Sequence, residues 1–257
     1  MKILAITQAR YGSTRLPAKI LKKVNEMTLF EIHLRRILRA KKISKLKIAT
    51  TDEEGAKYIT DIADKLGVEY YKGSVNDVLE RFYGAAQSEE PDYVVRFTSD
   101  CPLNDPEVID MVIDFALNHP EYDYVTLDHD SFPDGICAEV FKYSALLKAH
   151  TEACLKSERE HVTPYIWKNA SAEGGSLFNS FKIANPKGNF SAQDFRITID
   201  EPEDYEVIKC LIEKLGIYSS WLEYIEYLLK HKELYEVNRK FSFNEGYEKS
   251  LKNDKIL

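Results

Sequence analysis

An α/β fold built around a mainly parallel sheet is predicted by three features of the sequence. Short β-rich apolar runs alternate with amphipathic stretches through the first half, which is the pattern of successive βαβ units. Glycine stop signals and capping residues punctuate that alternation. No internal repeat, low-complexity tract or obvious linker interrupts it, so residues 1–257 read as a single domain.

Residues 3–7 read as the first strand, followed by a polar loop. Thr28 is placed to cap a helix over 29–40, because Phe30, Leu34, Ile37 and Leu38 recur at helical spacing. A strand follows at 46–50, then a helix at 56–66 that Gly67 stops, then a short strand at 68–71. Asn76 or Asp77 caps a helix running to 87, and 93–98 is again a strand. Asp105 and Pro106 open a helix to 118, with proline in the tolerated first turn, and 122–127 is a further strand.

Beyond about residue 128 the rhythm changes. A strand at 135–143, helices at 144–154 and 158–168, and an extended stretch at 176–184 predict a small inserted α+β flap over 128–189. The core is then about 1–127 and 190–230: residues 195–199 return as a strand, Pro202 starts a helix over 203–215, and more helix covers 221–230. The tail, 231–257, is polar from Phe241 onward and is ordered only if it docks.

Composition narrows the function. With 44 % apolar residues the 257-residue chain has ample material for a core. No run approaches the roughly 20 apolar residues of a membrane span, and the opening MKILAITQAR turns polar too soon for a signal peptide, so a cytoplasmic protein with no membrane partner is expected. Cys101, Cys137, Cys154 and Cys210 lack the close pairing of zinc sites and read as ordinary thiols. A net charge of −7 disfavours nucleic acid as the partner, so any anionic substrate must be held by a local cluster of cations.

Such a cluster stands in QARYGSTRLPAKIL at 8–21, immediately after the first strand, where ligands bind in open α/β sheets. Gly12 and Ser13 let backbone N–H groups approach phosphate oxygens, while Arg10, Arg15 and Lys19 bring three cations to one loop. Arginine forks match phosphate oxygens in pairs and lysine adds a point charge. The alternative is a solvated basic loop; a P-loop is excluded because the Gly-Lys-Ser/Thr ending is missing.

This loop resembles the signature of the cytidylyltransferases that activate 3-deoxy-manno-octulosonate and sialic acids, in particular their spore-coat-polysaccharide-protein-F-like branch. GSVNDVLERFYGAA at 73–86, VVRFTSDCPLNDPEVID at 94–110, FRITIDEPEDYEVI at 195–208 and the tail NEGYEKSLKNDK extend the likeness in order along nearly the whole chain. The resemblance implies a Rossmann-like, three-layer α/β/α fold of the nucleotide-diphospho-sugar transferase type, CTP as donor, Mg²⁺, pyrophosphate as leaving group, and a homodimer. By position it assigns Arg10, Arg15 and Lys19 to the triphosphate, with backbone contacts from Ala9 and Gly12. Thr50, Thr51 and Asp52, the 73–77 loop with Ser74 and Asp77, and Ser99 would border the nucleotide. Asp100 and Asp200 would hold the metal.

Strand ends support that last pair independently. Asp100 follows the predicted strand 93–98 and Asp200 follows 195–199, so both carboxylates can emerge on one edge of a parallel sheet. Helix or turn capping is the competing role for each, and Asp204 reads as a first-turn carboxylate. Arg96, Glu139, Glu160 and His161 are the acceptor candidates; Arg96 sits on a strand that looks buried and needs a carboxylate or ligand partner. Ser99 and Cys101 around Asp100 fit the spore-coat-like branch, which leaves an acidic sugar and a phosphorylated or phosphonate small molecule both open as acceptor. Two rivals stand beside this reading: a glycosyltransferase using Asp128-His129-Asp130 as a metal motif, and a non-catalytic nucleotide-binding protein.

Overall fold

The computed structural model describes residues 1–12, 15–185 and 194–256. In chain order these form β1 (Ile3–Gln8), a hairpin of β2 (Lys23–Val24) and β3 (Met27–Thr28), α1 (Leu29–Ile37), β4 (Lys45–Thr51), α2 (Ala56–Leu66), β5 (Glu69–Gly73), α3 (Val78–Gln87), β6 (Tyr93–Thr98) and α4 (Pro106–Asn118). The second half adds β7 (Tyr124–Leu127), β8 (Glu139–Lys142), α5 (Tyr143–Glu152), α6 (Lys156–His161), α7 (Pro164–Lys168), β9 (Ser180–Ile183), α8 (Pro202–Leu215), α9 (Trp221–Lys230), α10 (Lys232–Tyr235) and α11 (Glu245–Lys252).

Seven strands make one sheet in the order β5-β4-β1-β6-β8-β7-β9. β5, β4, β1 and β6 are mutually parallel; β8 enters antiparallel between β6 and β7, and β9 runs parallel to β7. The mainly parallel sheet with flanking helices is therefore as expected. Strands β8 and β9, from the segment expected to form a flap, are laid into the sheet itself, where alternating Val140 and Phe141 have a core to bury on each face.

Alternation along β1 defines the two faces. Ile3 and Ala5 pack with α1, α2, α4, α8 and α9, whereas Leu4 and Ile6 pack with α3, α5 and α7. A strand buried on both sides needs the unbroken apolar run that the sequence supplies here, and each large side chain buried contributes roughly 1.5–3 kcal/mol.

Local signals account for the boundaries. Thr28 accepts from the Glu31 amide at 3.1 Å, Asp77 from the Glu80 amide at 2.9 Å and Asp105 from the Glu107 amide at 2.9 Å, each capping the helix it precedes. Gly67 ends α2 with φ 66°, a left-handed conformation that suits glycine. Residues 195–199 are the exception, because they do not form a sheet strand. They run extended with a single bridge to Asp134, and their amides and carbonyls pair with the loops at Asp134 and Asp100 instead of a ladder. The predicted helix 158–168 is also broken, into α6 and α7, at Val162, whose φ is 72°.

Candidate active site

A cleft of about 840 Å³ opens at the carboxyl ends of β1 and β6 and is bounded by residues 8–12 and 15–20, the 99–101 turn, the 195–200 segment, α6 and the C-terminal segment. Its floor is an ion-pair cluster. Lys19 Nζ lies 3.2 Å from Asp100 Oδ2 and 2.7 Å from Asp200 Oδ1, and Arg15 Nη2 also reaches Asp200 Oδ1 at 2.7 Å. Arg15 Nη1 contacts Glu201 at 3.3 Å. Residues far apart in sequence thus meet around one ammonium group.

The basic loop is held there by its apolar residues. Leu16 and Ile20 are buried, Ala18 takes a left-handed φ of 51°, and Lys19 opens a single 3-10 turn whose amide bonds the Leu16 carbonyl at 3.1 Å. Asp100 is placed by a relay through the core. Thr7 on β1 and His33 on α1 hydrogen-bond at 2.8 Å, and His33 Nδ1–H donates to the Cys101 carbonyl at 2.9 Å. Burial pushes His33 down to about 4, so the ring is neutral and accepts from Thr7 at Nε2.

Asp200 is placed by Asp204. One Asp204 oxygen accepts from the amides of Asp200 and Glu201 at 2.8 and 2.9 Å, the other from Asn238 at 2.9 Å, and Arg196 clamps both. Asp204 is thus a helix-start carboxylate, as read from its position after Pro202. The extended 195–199 segment fits against residue 135 because that residue is glycine: φ is 109°, and a Cβ there would sit 2.4 Å from the Ile197 carbonyl carbon.

Electrostatics follow from this crowding. Burial works against the charged form of Asp100, but Lys19 and the Thr98 hydroxyl outweigh it and hold the carboxyl below its usual range. Burial likewise opposes the Lys19 charge, yet the two aspartates raise its pKa overall. Asp134, 2.6 Å from Arg196, is pushed up to about 7 by burial and by the other carboxylates, against the pull of that arginine.

Of the nucleotide candidates, Ala9, Arg10, Gly12, Arg15, Lys19 and Ser99 line the cleft, together with Asp100 and Asp200. Ser13 lies outside the described residues. The amides of Ala9 and Gly12 are already engaged, by the Ala49 carbonyl at 3.1 Å and by Glu53 Oε1 at 3.1 Å, so a carboxylate occupies the Gly12 amide that the loop reading offered to phosphate.

Thr50, Thr51, Asp52, Ser74 and Asp77 do not line the cleft. Thr50 and Thr51 are fully buried in β4, and Asp52 is exposed. Ser74 accepts from the Asn76 and Asp77 amides, and Asp77 both caps α3 and pairs with Arg159 at 2.6 Å. The 73–77 loop reaches the cleft through Val75 and Asn76 instead.

The acceptor candidates Arg96, Glu139, Glu160 and His161 line the same cleft. Arg96 forms a short ion pair with Glu139, which also accepts from Tyr124 at 2.9 Å, so the buried guanidinium has the partner it required. His161 Nε2 meets Ser250 Oγ at 2.9 Å. Asp128 and Asp130 are absent from the lining; Asp128 turns back onto the Asp130 amide at 3.4 Å, a polar turn after β7.

Arg81 was not singled out from the sequence, although it sits on the buried face of α3 between Val78 and Phe82, where a cation is out of place. It lines the cleft, donates to the Ser74 and Val75 carbonyls, and leaves Nε unpartnered. Burial and the neighbouring Arg10 lower its pKa to about 10. Among the described residues no carboxylate forms a salt bridge with Arg81 or Arg10.

A mainly parallel sheet with a group of cations and two carboxylates gathered at its carboxyl edge defines a nucleotidyltransferase-type site. Comparison with known proteins gives the family: residues 4–245 match the cytidylyltransferase model, and the chain belongs to that family. It is 35 % identical over 220 residues to the spore coat polysaccharide biosynthesis protein SpsF of Bacillus subtilis, covering 83 % of this chain and 88 % of that one. A cytidylyltransferase structure from Leptospira borgpetersenii superposes with TM-score 0.83 at 32 % identity, over 95 % of this chain and 99 % of the other. The CTP complex of CMP:2-keto-3-deoxy-manno-octonic acid synthetase shares the fold at TM-score 0.60 and 14 % identity, over 83 % and 99 % of the two chains.

Proposed function

We propose that this cytidylyltransferase moves CMP from CTP onto an acidic sugar or a related anionic acceptor, with Mg²⁺ bound and pyrophosphate released. The observation that carries the reading is the shared contact of Lys19 with Asp100 and Asp200, beside Arg15, at the carboxyl edge of the sheet. A transferable CMP group must be held at its phosphates, and Arg10, Arg15, Lys19 and Arg81 are among the cations that line the cleft.

The donor set at Asp100 and Asp200 is oxygen only. That suits Mg²⁺, which takes one or two carboxylates and completes its shell with water and substrate phosphate. When bound, the ion neutralises charge on the phosphate oxygens. The protein's own part is positioning: the arginines grip the departing β,γ-phosphates, and Lys19 is freed from the carboxylates to meet a phosphate oxygen. An acceptor oxygen, its hydroxyl proton given up to solvent, bonds to the α-phosphorus as the bond to the bridging oxygen breaks, and the pair of electrons leaves with pyrophosphate.

The presence of Arg96, Glu139, Glu160 and His161 in the same cleft as the basic loop supports assigning them to the acceptor. The glycosyltransferase reading loses support, because neither aspartate of its metal motif lines the cleft, although His129 between them does.

Pyrophosphate release tests the proposal. Each of the four nucleoside triphosphates is offered with 3-deoxy-manno-octulosonate, N-acetylneuraminate and glycerol 3-phosphate, with and without a chelator. CTP-selective, chelator-sensitive release that falls by on the order of 10²–10³-fold in Asp100→Asn and Asp200→Asn is the expected result. Turnover only with a nucleotide-sugar donor would overturn it.

A further inference from the structure

The far wall of the cleft is built by the C-terminal segment, with Phe243, Tyr247, Lys249 and Ser250 among its lining residues. The family model stops at residue 245, where α11 begins, and the match assigns no role to this wall. Its docking is specific. The Ser157 amide and hydroxyl donate to Asp254 at 2.9 and 2.7 Å, and the Lys156 amide donates to the Lys255 carbonyl at 2.8 Å. One face of α11 then spans the cleft: a Cβ added at Gly246 would lie 3.9 Å from Arg15 Nη2, and Ser250, one turn on, meets His161.

The chemistry of that contact fixes the imidazole. Ser250 Oγ has carbonyl and carboxylate acceptors for its proton, the Gly246 carbonyl at 3.1 Å and Glu160 Oε2 at 3.3 Å, so toward His161 it accepts from Nε2–H. Nδ1 then carries the lone pair, and no described residue hydrogen-bonds to it. Burial, reinforced by Arg96, pushes His161 down to about 4, so near neutral pH the ring offers a hydrogen-bond acceptor and no charge.

Tyr247 stands edge-on to His161 with ring centroids 5.1 Å apart, and 5.7 Å from Trp167. It is 9 % exposed, and its hydroxyl has no partner among the described residues. A buried hydroxyl left unpaired is costly unless a ligand takes it up. The wall therefore combines a spare donor, a spare acceptor and two aromatic faces, which is the equipment for a compound rich in hydroxyl groups.

We propose that α11 is the specificity element of the acceptor site: Tyr247 touches the acceptor, and Ser250 is a positioning residue that orients His161 toward it. The proposal rests on the cytidylyl-transfer reading above. Its test compares Tyr247→Phe, Ser250→Ala and Ser250→Thr with the unsubstituted protein, using CTP and whichever of the three acceptors supports the fastest pyrophosphate release. Losing one neutral hydrogen bond is expected to raise the acceptor KM about five-fold in Tyr247→Phe and Ser250→Ala. The expected CTP Kd, measured calorimetrically without acceptor, stays within about two-fold, which also certifies folding, and Ser250→Thr restores the acceptor KM. An unchanged acceptor KM, or a CTP Kd displaced as far as the acceptor KM, overturns the proposal alone. CTP binding by the unsubstituted protein without pyrophosphate release from any acceptor overturns the underlying reading and this one with it.

Discussion

Lys19 shows how much a single side chain does at this site. It neutralises Asp100 and Asp200, which would otherwise repel each other at close range, and so holds the pair together. The sequence offered this lysine, both aspartates and Arg15 through their positions after strands, whereas Arg81 was obscured because a helix face reads as core. Thr50 and Thr51, which only the family resemblance brings to the nucleotide, are fully buried in β4.

His33 gives a pH test of the relay that places Asp100. Its folded pKa of about 4 lies below the ordinary 6.5, so the unfolded chain binds the proton more readily and stability falls as pH drops through that window. The loss attributable to His33 is about 3 kcal/mol between pH 7 and pH 4. Denaturant titrations of the unsubstituted protein and of His33→Gln should differ in slope over this range, with the variant flatter. Parallel slopes would show that His33 is not buried as a neutral group.

Segments whose partners are loops account for most of what was not legible beforehand. Residues 195–199 carry the β-branched, apolar pattern of a strand, but they pair with single residues of two loops, so pattern predicted extension correctly and sheet membership wrongly. Asp200 nonetheless arrives where a strand end would have put it. The break between α6 and α7 does have a sequence signal, Pro164, which cannot continue a helix and instead opens α7; the φ of 72° at Val162, a residue that disfavours it, has none. Docking of α11 depends on Asp254 finding Ser157, a contact spanning 97 positions that no local rule anticipates.

Gly135 is the point at which the 195–199 segment is most exposed to perturbation. Ala at this position combines an unfavourable φ with a Cβ inside the Ile197 backbone, so Gly135→Ala should lose roughly 3 kcal/mol of stability. Chemical denaturation reads this directly. A loss below about 1 kcal/mol would mean the segment is not packed against residue 135 as described.

Across the chain, function follows from where a parallel sheet sends its strand ends. β1 and β6 are adjacent and parallel, so the loop after one and the turn after the other share an edge; the cations of the first and Asp100 of the second are brought together by topology alone. The same cleft is also lined by α6, α7 and the C-terminal segment, which under the proposed function would leave room for an acceptor beside the polyphosphate. Among the described residues no helix is long and apolar enough to cross a membrane.

Calorimetric titration of CTP, with and without Mg²⁺, into the unsubstituted protein and into an Asp100→Asn, Asp200→Asn double variant examines this arrangement most directly. Binding should tighten at least ten-fold when Mg²⁺ is present, and the double variant should lose that gain while still binding metal-free CTP through its cations. Equal enhancement by Mg²⁺ in both proteins would contradict the account, because the ion would then be held somewhere other than between Asp100 and Asp200.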